Sequence, residues 1–251
     1  MNKIFVVGSS IQTSDARLTY SPVRTVFTPE ERFRHTIFTI NSIHNAFPGS
    51  KIVIVDSSDE YQEYLVLLQH LRSYVEFIPL KELSGEAQQI VNTHPNKSLC
   101  ESLLLNTYYK QYKKELETYD YVIKGCGRYF HFDFTDALFT PENRDKIFFK
   151  KPLQFEWNPS WDYRFIDLRK EQGDNKLRQY CTVLYAFGSM HLDKFIDINE
   201  TAIHLIKQPT MLHYDIETLS YYLTRPYKDS IIETDWKVSG WDGTSARFMY
   251  Y

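Results

Sequence analysis

The apolar positions of this chain fall into short unbroken runs, separated by longer stretches in which apolar and polar residues alternate at helical spacing. Residues 3–7 (KIFVV) form a compact apolar run that ends in Gly8-Ser9-Ser10, the pattern of a strand buried on both faces. A polar, turn-rich segment follows to residue 27. Thr28-Pro29-Glu30-Glu31 then marks a helix start, with Thr at the N-cap, Pro at the first helical position and Glu three residues after the cap. Phe33, Ile37, Ile40, Ile43 and Phe47 recur at helical spacing, and Pro48-Gly49 ends the helix. Residues 51–55 (KIVIV) are predicted as a second strand, closed by Asp56-Ser57-Ser58. Further along, the pattern predicts a helix over 60–73, a strand over 75–80, partial helix over 84–95, a long amphipathic helix over 97–118 with Glu101 in its first turns, and a central strand over 121–124.

This alternation of strand and helix favours βαβ units, and so an α/β fold: a three-layer α/β/α sandwich around a mostly parallel, Rossmann-like sheet. The second half is aromatic-rich and less regular. An edge strand is expected over 146–150, a buried strand over 179–187, helices over 192–198, 200–207 and 213–223, and a strand within 228–238. The tail over 239–251 (SGWDGTSARFMYY) can fold back over a site. The chain reads as one domain over 1–251, made of two halves, 1–135 and 136–251.

Composition narrows the function classes. The 251 residues carry a net charge of −3, so bulk electrostatics do not point to nucleic acid. Aromatics reach 16%, with 19 Tyr and 17 Phe, which suits sugars and bases as well as a packed core. The three cysteines Cys100, Cys126 and Cys181 are widely spaced, with no CxxC pair, which argues against a disulfide framework or a structural zinc site and fits a reducing cytoplasmic setting. The N-terminal apolar run is too short for a secretory signal, and no later run has the length of a membrane span.

The chemistry concentrates in residues 119–134 (YDYVIKGCGRYFHFDF). An apolar strand feeds a turn with Gly125 and Gly127, flanked by Lys124 and Arg128, with Asp133 and Asp136 beyond. A strand opening into a glycine turn is how α/β sheets build ligand sites, and two cations suit a diphosphate. The alternative is an ordinary turn with solvated charges. The connection from the first strand to its helix runs to roughly twenty residues, longer than most such loops, and carries Arg24. Arg32 and Arg34 read as surface charge. Asp56 can bind a ribose or base, or else cap the next helix. The GxGxxG fingerprint is missing after the first strand, and no Walker A loop is present.

Strand, Arg-bearing loop, helix, strand ending in Asp56, long helix with the early Glu101, then Lys124-Gly125-Cys126-Gly127-Arg128-Tyr129: this order resembles the GT-A-type nucleotide-sugar glycosyltransferases. In particular it is similar to bacterial and viral polysaccharide-synthesis transferases with a K-x-GRY-like segment. The resemblance implies transfer of a sugar from a nucleotide sugar to a glycan or lipid-linked sugar acceptor, with the nucleotide near Gly8, Arg24 and Asp56 and its diphosphate at Lys124, Gly127 and Arg128. Most GT-A enzymes carry an Asp-x-Asp that holds a divalent metal after the central strand. Here two cations occupy that place, so no cofactor is expected to be required and little metal dependence is expected, although Asp133 and Asp136 leave room for an ion.

An acceptor hydroxyl needs a proton acceptor. Asp215, Glu217 and Asp162 are the candidates; Asp215 and Glu217, two apart on a predicted helix, should not share a face. His191 and His213 are weaker candidates, and Trp157, Trp161 and Trp241 are candidates for stacking on sugar rings. A nucleotidyltransferase-like enzyme and a non-catalytic α/β binding protein remain open alternatives.

Overall fold

A computed structural model of the protein describes residues 1–58, 64, 74–131, 136–156, 176–208 and 214–251. Strands β1 (Lys3–Ser9), β2 (Lys51–Asp56), β3 (Val75–Pro79) and β4 (Tyr121–Cys126) form one half of the main sheet. The other half comes from β6 (Ile147–Lys150), β9 (Tyr185–Gly188) and β10 (Ile231–Thr234). The order across the sheet is β10-β6-β9-β4-β1-β2-β3, and only β9 runs antiparallel to its neighbours. A smaller antiparallel sheet joins β5 (Tyr129–His131), β11 (Val238–Trp241) and β12 (Phe248–Tyr250), which brings the tail back beside the central strand. Strands β7 (Leu153–Glu156) and β8 (Lys176–Gln179) form a separate antiparallel pair.

Side chains alternate across the main sheet, and both faces are covered. Ile4, Val6, Val53, Val55 and Val122 pack on one side, while Phe5, Val7, Ile52, Ile54 and Ile123 pack on the other. The first face is covered by α3 (Gly85–Thr93), α4 (Lys97–Gln111), α6 (Leu192–Ile206) and α7 (Ile216–Leu223). The second is covered by α1 (Pro29–Ala46). Two short helices, α2 (Leu80–Leu83) and α5 (Lys113–Leu116), complete the set used here. This is the expected three-layer, mostly parallel α/β arrangement. Among the described residues, no helix is long and apolar enough to cross a membrane.

The helix start at Thr28 forms as its sequence dictates: the Thr28 hydroxyl accepts from Glu31 N, and Glu31 reaches back to Thr28 N at 2.8 Å. Other elements depart from the sequence pattern. The strand over 146–150 is not an edge; β6 lies between β9 and β10, with Ile147, Phe148 and Phe149 fully buried. The run over 179–187 divides into β8 and β9, with a turn between them that contributes to the site. The 97–118 helix breaks at Tyr112, and the two helices predicted over 192–207 are one. The helix predicted over 60–73 lies outside the described residues.

Gly188 ends β9 where the chain leading into β6 crosses close by. A Cβ there would lie 1.7 Å from the Arg144 carbonyl oxygen. Backbone atoms cannot yield as side chains do, so Gly188→Ala is expected to cost about 3 kcal/mol. Thermal denaturation checks this; a melting temperature equal to wild type would contradict the packing.

Candidate active site

β2 and β3 are laid down on one side of β1, and the chain then crosses to place β4 on the other. The connections of two parallel neighbours diverge at such a switch point and leave a crevice at their carboxyl ends. There Gly8 and Ser9, from β1, face Cys126, Gly127 and Arg128, from β4 and its turn, across a niche of about 130 Å3. Beside it lies a larger cavity of about 450 Å3 bordered by Tyr20, Glu101, Asp215, Glu217, Asp242 and Tyr251. Lys97, Glu101, Cys126 and Arg128 border both spaces.

The glycine turn is shaped by α1. Gly127 N donates to Gly8 O at 3.0 Å, and the Gly127 carbonyl accepts from the Thr36 hydroxyl at 3.2 Å. A Cβ at Gly127 would lie 3.1 Å from both Ser9 Oγ and Thr36 Oγ1. Thr39 likewise donates to Tyr129 O at 2.9 Å. Arg32, Thr36 and Thr39 form a polar stripe on the buried face of α1, at the i, i+4, i+7 spacing of one helix side. That spacing was the signal that could have placed Arg32 inside. Instead of lying on the surface, its guanidinium is buried, donating to Ser10 O and to Thr25 Oγ1. Arg34 is exposed and pairs with Glu30, as the sequence suggests.

Two residues assigned to the nucleotide are placed elsewhere. The Lys124 side chain is fully buried, and its ammonium donates to Glu101, to the Thr182 carbonyl and to Cys126 Sγ. Strand alternation turns it beneath the crevice floor. Desolvation opposes its charge, but Cys126 and Glu101 hold the ammonium above the usual lysine range. Burial pushes the Cys126 thiol up. Asp56 is also fully buried and gives its oxygens to Ile11 N at 3.1 Å and Ser58 N at 2.8 Å. It organises the loops after β1 and β2 rather than facing the niche.

The remaining cations do face it. Arg128 borders both spaces, and among the described residues its guanidinium has neither a hydrogen bond nor an ion pair. Gly243 packs against it: a Cβ there would lie 2.3 Å from Arg128 Nη1. Arg24 spans to the His94 carbonyl and borders the niche, its buried Nε without a partner. Desolvation, then Arg128, push the Arg32 guanidinium down, and Asp56 opposes them. Among the described residues, no acidic side chain forms an ion pair with Arg24, Arg32, Lys97 or Arg128.

The carboxylates meet in the larger cavity. Asp215 is the N-cap of α7, in extended backbone (φ −106°, ψ 151°), so the helical rule that would separate it from Glu217 does not apply, and both border the cavity. Asp215 accepts from Thr218 N and from Gln179 Nε2. Glu217 accepts from the Thr182 hydroxyl at 3.0 Å. Desolvation, then the charges of Asp215 and Glu101, push its carboxyl up to about 7. Asp242 is occupied by Thr244 N, the Thr244 hydroxyl and the Ser245 hydroxyl.

Asp162, Asp133, His213, Trp157 and Trp161 lie outside the described residues. Asp136 pairs with Lys3, away from the crevice, and His191 is held by the Asp145 carbonyl and Lys194. Trp241 packs against His35, Phe27 and Phe248 instead of opening toward a sugar. Among the described residues, no three His, Cys, Asp or Glu side chains gather to hold a metal ion.

No protein-family model matches the chain, and no curated protein matches it. Solved structures do. The chain is similar to core-mannan synthase A (CmsA/Ktr4) from Aspergillus fumigatus in a Mn/GDP form, at 11% identity and a TM-score of 0.56, over 95% of this chain and 74% of that one. It is also similar to the mannosyltransferase Ktr4p from S. cerevisiae, at 10% identity and a TM-score of 0.55, over 93% and 69% of the respective chains. These are likenesses of fold, and they place the chain in a GT-A-like α/β architecture.

Proposed function

We propose that this protein moves a sugar from a nucleotide-sugar donor to a hydroxyl of a glycan or lipid-linked sugar acceptor, as a step of polysaccharide synthesis. One observation carries the reading: a niche lined by cations that, among the described residues, form no ion pair lies at the switch point of the sheet and shares its border with a cavity walled by carboxylates. The niche, built wholly from residues 8–128, takes the nucleotide and its diphosphate. The wider cavity, with carboxylates from the second half and the exposed ring of Tyr20, takes the acceptor. The donor and acceptor then meet where Glu101, Cys126 and Arg128 border both.

In the step itself, the acceptor hydroxyl oxygen forms a bond to the anomeric carbon while the bond from that carbon to the diphosphate oxygen breaks. The electron pair leaves on the diphosphate, where Arg128 and its neighbouring cations stabilise the developing charge. The hydroxyl proton passes to Glu217, whose elevated pKa suits a proton acceptor near neutral pH. Three unpaired cysteines support a reducing, cytoplasmic setting.

The Aspergillus neighbour is a Mn/GDP form, whereas the carboxylates of this crevice are committed elsewhere. Glu101 pairs with Lys124, Asp215 caps α7 and Asp242 closes its own turn. That set does not fit an ion on the diphosphate, and little or no metal dependence is proposed. A thermal-shift screen with nucleoside diphosphates, with and without chelator, tests the reading. At a hundred times Kd a binding nucleotide stabilises the fold by about 2.7 kcal/mol, a rise of several degrees. That rise is expected to survive the chelator and to vanish in Arg128→Ala. No rise with any nucleotide overturns the proposal, and magnesium-dependent release of pyrophosphate would assign nucleotidyl transfer instead.

A further inference from the structure

Lys97 opens α4, just after the N-cap Asn96, and borders both the niche and the larger cavity. Among the described residues its ammonium has no hydrogen-bond or ion-pair partner. It faces two guanidinium groups, Arg32 on α1 and Arg128 on the turn after β4, and among the described residues no carboxylate forms an ion pair with any of the three; Glu101 and Asp242 act on Lys97, and Asp56 on Arg32, only from beyond ion-pair distance. Three cations from three separate elements gain most when a polyanion enters between them. The N-terminal end of α4, a helix of fifteen residues, adds its own positive field at the same place.

We propose that Lys97 binds the diphosphate of the nucleotide together with Arg128 and Arg32. This rests on the reading of the crevice as a nucleotide-sugar site. The groups around Lys97 set the sign of the linkage. Desolvation, then Arg128 and Arg32, push its ammonium down to about 8, while Glu101 on α4 and Asp242 on the tail pull it back. Arg24, Asp215 and Glu217 border the same spaces. Burial pushes the thiols Cys100 and Cys126 and the phenols Tyr20, Tyr129 and Tyr251 up. Burial and Arg128 also push the Arg32 guanidinium down, to about 9, so the Lys97 variants are what separate its proton from that of Lys97. A bound diphosphate raises the Lys97 pKa, so affinity is flat below about pH 8 and falls above it, by up to tenfold per pH unit.

The experiment is isothermal titration of the full chain with uridine diphosphate, guanosine diphosphate and inorganic pyrophosphate from pH 7 to 9.5, in buffers of different ionisation enthalpy and with chelator present. Wild type is expected to take up close to one proton per nucleotide at pH 9. Lys97→Met is expected to bind at least tenfold more weakly at pH 7 and to lose the proton uptake. Lys97→Arg, which keeps a charge and carries the test if Lys97→Met does not fold, is expected to bind well at pH 7 and to show no fall toward pH 9. Wild-type binding that is independent of pH, or a Lys97→Met or Lys97→Arg profile parallel to wild type, overturns the role of Lys97 alone. Absence of binding by any of these probes at pH 7 overturns the nucleotide-sugar reading and the inference with it. Pyrophosphate binding that depends on Lys97 as strongly as nucleotide binding locates the effect on the diphosphate; dependence confined to the nucleotides overturns that assignment.

Discussion

Glu217→Gln is expected to slow glycosyl transfer by ~10²–10⁴-fold, the range lost when a positioned proton acceptor is removed. Glu217 sits with Asp215 on the wall of the larger cavity, oriented by the Thr182 hydroxyl. It must be ionised to accept a proton, and its carboxyl is pushed up to about 7. Wild-type turnover should therefore rise through pH 6–8 and level off above, and the glutamine variant should lose that rise. Binding of a nucleoside diphosphate should be unchanged, because the niche lies on the other side of Arg128. Stability gives an independent control. A carboxyl whose folded pKa lies above its unfolded value costs stability as pH rises between the two, so ionisation of Glu217 weakens the fold from about pH 4.5 to 7. Glutamine removes that cost, and the variant should melt no lower than wild type at pH 8. An acidic limb that persists in the variant would assign the proton to another group.

The second large effect concerns stability. Lys124→Met should destabilise the protein by about 3 kcal/mol, because removing one partner of a buried ion pair strands the other. The lysine side chain is wholly buried, and Glu101 opposite it is only partly open to the cavity. For a chain of this size the loss corresponds to a fall in melting temperature of roughly 6–12 °C. Pairing it with Glu101→Met should restore much of the loss, since two apolar groups of similar length leave no stranded charge. A double variant no more stable than the single one would show that the pair contributes through something other than mutual neutralisation. Because Lys124 does not border the niche, the single variant should keep most of its nucleotide affinity, unlike Arg128→Ala.

Local signals made much of the fold legible. Unbroken apolar runs at β1, β2 and β4 specify strands buried on both faces, and the Thr28-Pro29-Glu31 signature specifies where α1 begins, because each depends only on neighbours along the chain. Glycine and arginine after β4 were likewise readable as the mouth of a crevice. The role of Lys97 is not legible in the sequence because one lysine at a helix start looks like any other, and burial of Arg32 is legible only through the Thr36 and Thr39 positions, which reveal which side of α1 is buried.

What residue order determined here is the strand–helix alternation, the capping of α1 and the presence of a glycine turn between two cations, each a consequence of interactions within a few residues. Tertiary structure alone decided which cation meets the crevice. Lys124 and Arg128 are four apart, yet β4 buries one against Glu101, 23 positions upstream, while the turn after β4 carries the other to the crevice, where among the described residues it has no hydrogen-bond or ion-pair partner. It also decided that Asp215 and Glu217 share a wall, because a residue that caps a helix in extended backbone does not follow the helix's angular spacing. Both outcomes depend on packing between elements distant in sequence, and no local pattern encodes that.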